Sequence, residues 1–176
     1  MAPAAFARLD DLAGRAEDLF LAASHGLIAG LVLLAVFYRY VLGDPLVWTE
    51  EFVVTLFGWM LFIGLASAFR SRMHIRIDVL LLVLPRRAWG VVGAVAVLVT
   101  LATLLALVWF GVEQAMMLAS NETPMLRISA AWGVAALPVG AALSCLHILR
   151  HVLEHGVGET LWPADPVAAV EESHVA

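Results

Sequence analysis

Four stretches of this chain, about Leu19–Tyr38, Phe52–Phe69, Trp89–Val112 and Ile128–Leu149, contain no Asp, Glu, Lys or Arg. Each approaches or exceeds the roughly 20 apolar residues a helix needs to cross a bilayer. Within lipid the backbone must satisfy its own N–H and C=O groups, so such stretches are helices. What remains is two short tails and three connections, too little chain for a folded domain outside the membrane. A conventional soluble active site has no place here. The expected fold is an all-α integral membrane protein with four transmembrane helices. Its segments are an N-terminal interfacial part (1–18), a four-helix domain (19–150) and a C-terminal tail (151–176). Composition agrees: 62% of residues are hydrophobic and 14% charged, and the mean hydropathy is +0.93.

All ten basic residues are arginine, and the net charge of −5 comes mostly from acids near the termini. That balance gives no footprint for nucleic acid. Cys145 is the single cysteine, so an intramolecular disulfide is excluded and metal-ligand spacing is missing. The first span is too long for a signal peptide and runs into Arg39-Tyr40, without a small-x-small cleavage site, so it reads as a retained helix.

Arginine placement sets the expected orientation. Arg8, Arg15, Arg70, Arg72, Arg76, Arg86, Arg87 and Arg150 flank one side of the spans, and only Arg39 and Arg127 flank the other. The positive-inside rule then puts both termini in the cytoplasm. In a bacterium Glu50, Glu51 and the Asn121–Arg127 loop would face the periplasm. Trp48, Trp89, Trp109 and Trp132 fall near span ends, where indoles favour the interface.

Residues Met1 to Asp18 place Phe6, Leu9, Leu12, Ala13 and Ala16 at helical spacing among charges. The pattern fits a helix lying on the membrane surface before turning inward, or an ordinary frayed terminus. Ser71 to Pro85 is amphipathic, too short and too charged to span, and reads as an interfacial segment whose arginines meet lipid phosphates. The tail beyond Glu154 is acidic and aperiodic, the composition of a disordered segment.

Inside the nominal spans the only ionisable side chains besides the thiol of Cys145 and the phenol of Tyr38 are His25 and His147. Transporters place solute and ion sites near mid-membrane, on broken helices with buried polar groups. Here Pro138 alone interrupts a span, which points to an accessory or scaffold subunit. Two small-xxx-small stripes, Ala22/Gly26/Gly30 and Ala136/Gly140/Ser144, suit close helix approach, within this bundle or to a partner. Arg39 and the Glu50-Glu51 pair sit at the two ends of a short connection. A hairpin would bring one glutamate to Arg39, with solvation of all three as the alternative. His74 and Asp78 are four apart, but no nucleophile accompanies them, so they read as interface residues. A competing function, the haem-bearing anchor of a redox enzyme, would use His25 and His147 as axial ligands. An independent small exporter would need a membrane-embedded acid.

Several motifs carry a family resemblance. Arg39-Tyr40-Val41, Pro45-Leu46 and Trp48-Thr49-Glu50-Glu51 resemble the signature of the small membrane subunit, DctQ-type, of tripartite ATP-independent periplasmic (TRAP) transporters. His74-Ile75-Arg76-Ile77-Asp78, Thr123-Pro124-Met125-Leu126 with Ile128 and Trp132, and Leu137-Pro138-Val139-Gly140 are similar to its later elements. The resemblance covers about Arg39 to Gly140 and departs from many relatives at Gly133–Ala135, where they carry an aromatic residue. It implies a multi-pass subunit of the bacterial inner membrane, bound to a large permease subunit that carries the solute and sodium sites. A periplasmic binding protein would deliver an organic acid anion such as a dicarboxylate. No cofactor is implied for this chain. The residues expected to shape its structure and partner contacts are Gly26, Gly30, Arg39, Trp48, Glu50, Glu51, His74, Asp78 and Pro124.

Overall fold

The computed structural model describes residues 4–71 and 89–155, with side chains for 8–71 and 90–154. His74, Asp78, the expected interfacial segment and the acidic tail lie outside the described residues. Helix α1 runs from Ala4–Phe37, 34 residues, or about 51 Å at 1.5 Å per residue. Residues 4–18, the amino-terminal leg, and the first span belong to one helix. No proline occurs between Ala4 and Asp44, and the leg is built of Ala, Leu, Arg, Asp and Glu. Its one weak point, Gly14, is the spot where the Arg70 side chain crosses α1, leaving no room for a Cβ.

A π-helical turn, Tyr38–Leu42, ends α1, and Gly43 stops it in the left-handed conformation (φ 68°) that glycine adopts without a Cβ penalty. The N–H groups of Gly43 and Asp44 both reach the Tyr38 carbonyl. Pro45 then precedes α2 (Val47–Arg70), whose first turn is held by the Thr49 hydroxyl donating to the Leu46 carbonyl at 2.5 Å. Helix α3 spans Trp89–Met117, a short turn α4 spans Ala131–Val134, and α5 spans Ala136–His155. The break between α4 and α5 has a local cause. Pro138 has no N–H to offer the Val134 carbonyl four residues back, so the chain restarts with Pro138 in the first turn of α5.

Among the described residues, four helical stretches are long and apolar enough to cross a membrane: Arg8–Leu42, Val47–Arg70, Gly90–Met117 and Ala131–Glu154. Helix α5 is the central one, packed on both α2 and α3, while α1 leans mainly on α2. A Cβ at Gly140 would stand 2.5 Å from the Phe62 carbonyl oxygen, so glycine sets the α2–α5 distance. Pro138 fits against Gly111 of α3, and Val97, Leu104, Ala141 and Ile148 form an apolar layer below.

The distribution of polarity is inverted relative to a water-soluble core. Buried side chains include Asp10, Glu17, Thr49, Ser144 and His147, whereas Leu33, Leu98, Trp109 and Phe110 are exposed. Lipid is as apolar as Leu, so packing of small residues and satisfied polar groups replaces hydrophobic burial as the glue.

Candidate functional site

Polar side chains gather at the two ends of the bundle. At the hairpin end, the π-helical turn carries Arg39, the first turn of α2 carries Glu50, and Glu51 follows it. Arg39 Nη2 donates to Glu50 Oε1 at 3.4 Å, with both side chains more than half exposed. Glu51 faces the other way. Its carboxylate accepts the backbone N–H groups of Met125 at 2.8 Å and Leu126 at 3.2 Å. The two adjacent glutamates, about 100° apart around a helix, therefore tie α2 to two different neighbours.

The loop that Glu51 holds is compact. Thr123 N–H donates to Ile128 O, and Ala130 N–H to Asn121 O, each at 2.8 Å. Arg127 takes a positive φ of 54°, uncommon for a residue with a side chain. Pro124 is exposed on this loop, and Trp48 stacks edge-to-face on Phe52 with 6.4 Å between centroids. An open groove of about 590 Å³ lies beside the Arg39–Glu50 pair, walled by Leu31, Ala35, Leu46 and Val53.

The two small-residue stripes separate cleanly. Ala136, Gly140 and Ser144 are buried against this chain's own helices. Gly26 and Gly30 have nothing within 4 Å of where a Cβ would stand. The first stripe is internal packing, and the second is an open face.

The opposite end holds a network that the motifs do not announce. His147 of α5 is fully buried, with Nδ1 2.6 Å from Asp10 Oδ1 and Nε2 2.8 Å from Glu17 Oε1, both on α1. Arg150, one turn on, bonds Asp10 Oδ2 and Asp11 Oδ1 at 2.6 Å each and Glu154 at 2.9 Å. From α2, Arg70 pairs with Asp18 and lies 3.6 Å from Glu17 Oε2, while its carbonyl receives His151 Nε2 at 3.0 Å. Asp10, Gly14 and Glu17 occupy one face of α1 at helical spacing and form the inner side of the leg. Leu9 and Leu12, at 61% and 66% exposure, form its outer side.

Both ring nitrogens of His147, the residue weighed above as a haem ligand, are engaged by carboxylates here. His25 lies elsewhere, its Nδ1 2.7 Å from the Leu21 carbonyl one turn back. Asp10 and Glu17, which precede the first span, are nonetheless buried, at 1% and 3% exposure. Partners on α5 lie 130 and 137 residues away, which is why spacing along the chain could not find them. The available signal was the polar stripe Asp10/Gly14/Glu17 on a leg whose other face is leucine, set beside a histidine in an otherwise apolar span.

Comparison with known proteins gives the framework for both ends. The family model described as tripartite ATP-independent periplasmic transporters, DctQ component, matches residues 28–156. The C4-dicarboxylate TRAP transporter small permease protein DctQ of Vibrio cholerae is 30% identical over 97 residues, covering 55% of this chain and 42% of the relative. The protein of the same name from Rhodobacter capsulatus is 27% identical over 128 residues, 72% of this chain and 56% of the relative. The sialic acid small permease protein SiaQ of Vibrio cholerae is 29% identical over 114 residues, 65% of this chain and 66% of the relative. The aligned region thus spans about half the length of the C4-dicarboxylate relatives. Arg39, Glu50, Glu51 and His147 fall within the family match, and Asp10 and Glu17 fall before it.

Proposed function

Because the chain belongs to the DctQ component family of the tripartite ATP-independent periplasmic transporters, we propose that it is the scaffold on which a large permease subunit works. It is a multi-pass small permease protein of the bacterial inner membrane. In this reading the large subunit carries the solute and sodium sites, and a periplasmic binding protein delivers an organic acid anion. The relatives' names cover C4-dicarboxylates and sialic acid, both carboxylates, and that supports the substrate class. The observation that carries the proposal is the division of polarity. The Asp10–His147–Glu17 cluster is closed on this chain's own residues, and the span portions of α1 and α3 expose mainly apolar side chains, Leu27, Leu33, Leu98 and Leu105 among them. Solute binding at mid-membrane would need broken helices and convergent polar groups.

Reconstituted alone in liposomes with a sodium gradient, the chain should give no organic-anion uptake above empty vesicles. Uptake should appear when the large permease subunit, the binding protein and sodium are all supplied. Saturable, sodium-dependent uptake by this chain alone would overturn the scaffold reading.

The arginine asymmetry supports both termini in the cytoplasm, which places the Glu51 loop in the periplasm and the His147 network at the cytoplasmic end. With Cys145 replaced by alanine, Asn121→Cys should react with an impermeant maleimide from outside intact cells and Ser71→Cys should not. The reverse labelling would invert the orientation.

A further inference from the structure

The chain holds a buried imidazole whose two nitrogens both face carboxylates, and no position of hydrogens on a neutral ring satisfies that arrangement. A neutral imidazole has one N–H and one lone pair, and an ionised carboxylate only accepts. At 2.6 Å from Asp10 and 2.8 Å from Glu17, one contact would set a lone pair against an anion in a site closed to water. Such an unpaired, desolvated contact is strongly unfavourable. An additional proton resolves it, and imidazole, the strongest base of the three groups, carries it.

We propose that Asp10, His147 and Glu17 form a proton-binding site, and that the bound proton latches the amino-terminal leg of α1 onto α5. The charges around the site favour the same occupancy. Asp10, Asp11, Glu17, Asp18 and Glu154 supply five carboxylates, against the guanidiniums of Arg70 and Arg150 in the network and of the exposed Arg8 and Arg15 beside Asp11. An imidazolium at the centre reduces that excess of negative charge. From α2 the facing groups are Arg70 and Ser67, from α5 Arg150, His151 and Glu154, and from α1 the four acids. The side of α5 turned to α3 is apolar there, with Ile148 in the layer with Val97 and Leu104. The second oxygen of Asp10 is held by Arg150 at 2.6 Å, and Glu17 Oε2 lies 3.6 Å from Arg70 Nε, an ion pair without a hydrogen bond. This leaves the first oxygens aimed at the ring.

The site joins residues near the start of the chain to residues near its end, and its acidic half precedes the region matched by the family model. Losing the proton restores the clash of lone pair and carboxylate and loosens the leg's hold on α5, leaving the Arg150 pairs with Asp10 and Asp11 to carry the contact.

The test uses the full chain, ¹⁵N-labelled at histidine, in lipid nanodiscs at neutral pH. The His147 signal, assigned by its absence in His147→Gln, should show both ring nitrogens protonated. Raising the pH until that signature is lost should loosen the leg in the same step, read as a roughly tenfold or greater loss of amide-exchange protection over residues 10–18. Asp10→Asn guards against misfolding of the glutamine variant. Its amide can donate to Nδ1, so the ring should become neutral while the leg stays docked and insensitive to pH. A neutral ring in the unaltered protein would overturn the proposal. So would an imidazolium that persists in both Asp10→Asn and Glu17→Gln, or a leg whose protection does not follow the ring's charge.

Discussion

The two polar ends of the bundle are built on opposite principles. At the hairpin end Arg39 and Glu50 are eleven residues apart, 57% and 71% exposed, and meet at 3.4 Å. At the other end His147 and its acids come from opposite ends of the chain, are at most 3% exposed, and meet at 2.6 and 2.8 Å. Exposed pairs are screened and lose side-chain entropy on forming, so they add little stability. Buried pairs are expensive to assemble and far more expensive to break, because one lost partner strands a charge away from water. The motif-bearing end therefore shapes a surface, and the anonymous end holds the helices in place.

The sharpest way to break this contrast is His147→Ala. It leaves Asp10 and Glu17 facing each other without the cation between them, and the bundle should lose about 3–5 kcal/mol. Chemical unfolding in mild detergent, followed by far-UV circular dichroism, measures it. A loss no larger than that of an exposed substitution would mean that water reaches the network.

The glycine pair refines the comparison along the helices. Gly140→Leu must push α2 from α5, since even a Cβ would stand 2.5 Å from the Phe62 carbonyl oxygen. Overpacking of this kind costs about 1–3 kcal/mol. Gly26→Leu meets open space, so the isolated chain should keep its stability and lose only co-purification with a large permease subunit. Equal destabilisation by both would place the α1 stripe inside the fold.

The smallest effect belongs to the exposed pair. Arg39→Ala should cost no more than about 1 kcal/mol, and the Arg39→Glu/Glu50→Arg swap should recover most of it in the same unfolding assay. An effect rivalling that of His147→Ala would show that the hairpin end is as dry as the other. Glu51 differs from Glu50 in having backbone partners. Glu51→Gln keeps one acceptor oxygen for two N–H groups, so Asn121→Cys in that background should label faster as the loop loosens.

The small-residue stripes show how far pattern alone reaches. Ala22/Gly26/Gly30 and Ala136/Gly140/Ser144 are equivalent as sequence, yet one is open and the other buried. Spacing states that a helix has a smooth face. Which helix meets that face depends on the order in which spans pack, here α5 between α2 and α3. The choice between Glu50 and Glu51 as partner of Arg39 was open for the same reason. A 100° difference in direction becomes a choice of neighbour only once the hairpin and the Thr123–Leu126 loop are both in place.

The amino-acid sequence by itself determined the four spans, the turn at Gly43-Asp44-Pro45 and the helix break before Pro138. Each follows from local chemistry: apolar length, a left-handed glycine, a missing N–H. The sequence also placed the chain in its family, through residues that lie close together along it. The tertiary structure alone decided that Asp10 and Glu17 close on a histidine more than a hundred residues away. A charge beside a span reads as solvated until another helix removes the water, and that depends on packing between segments no local pattern relates.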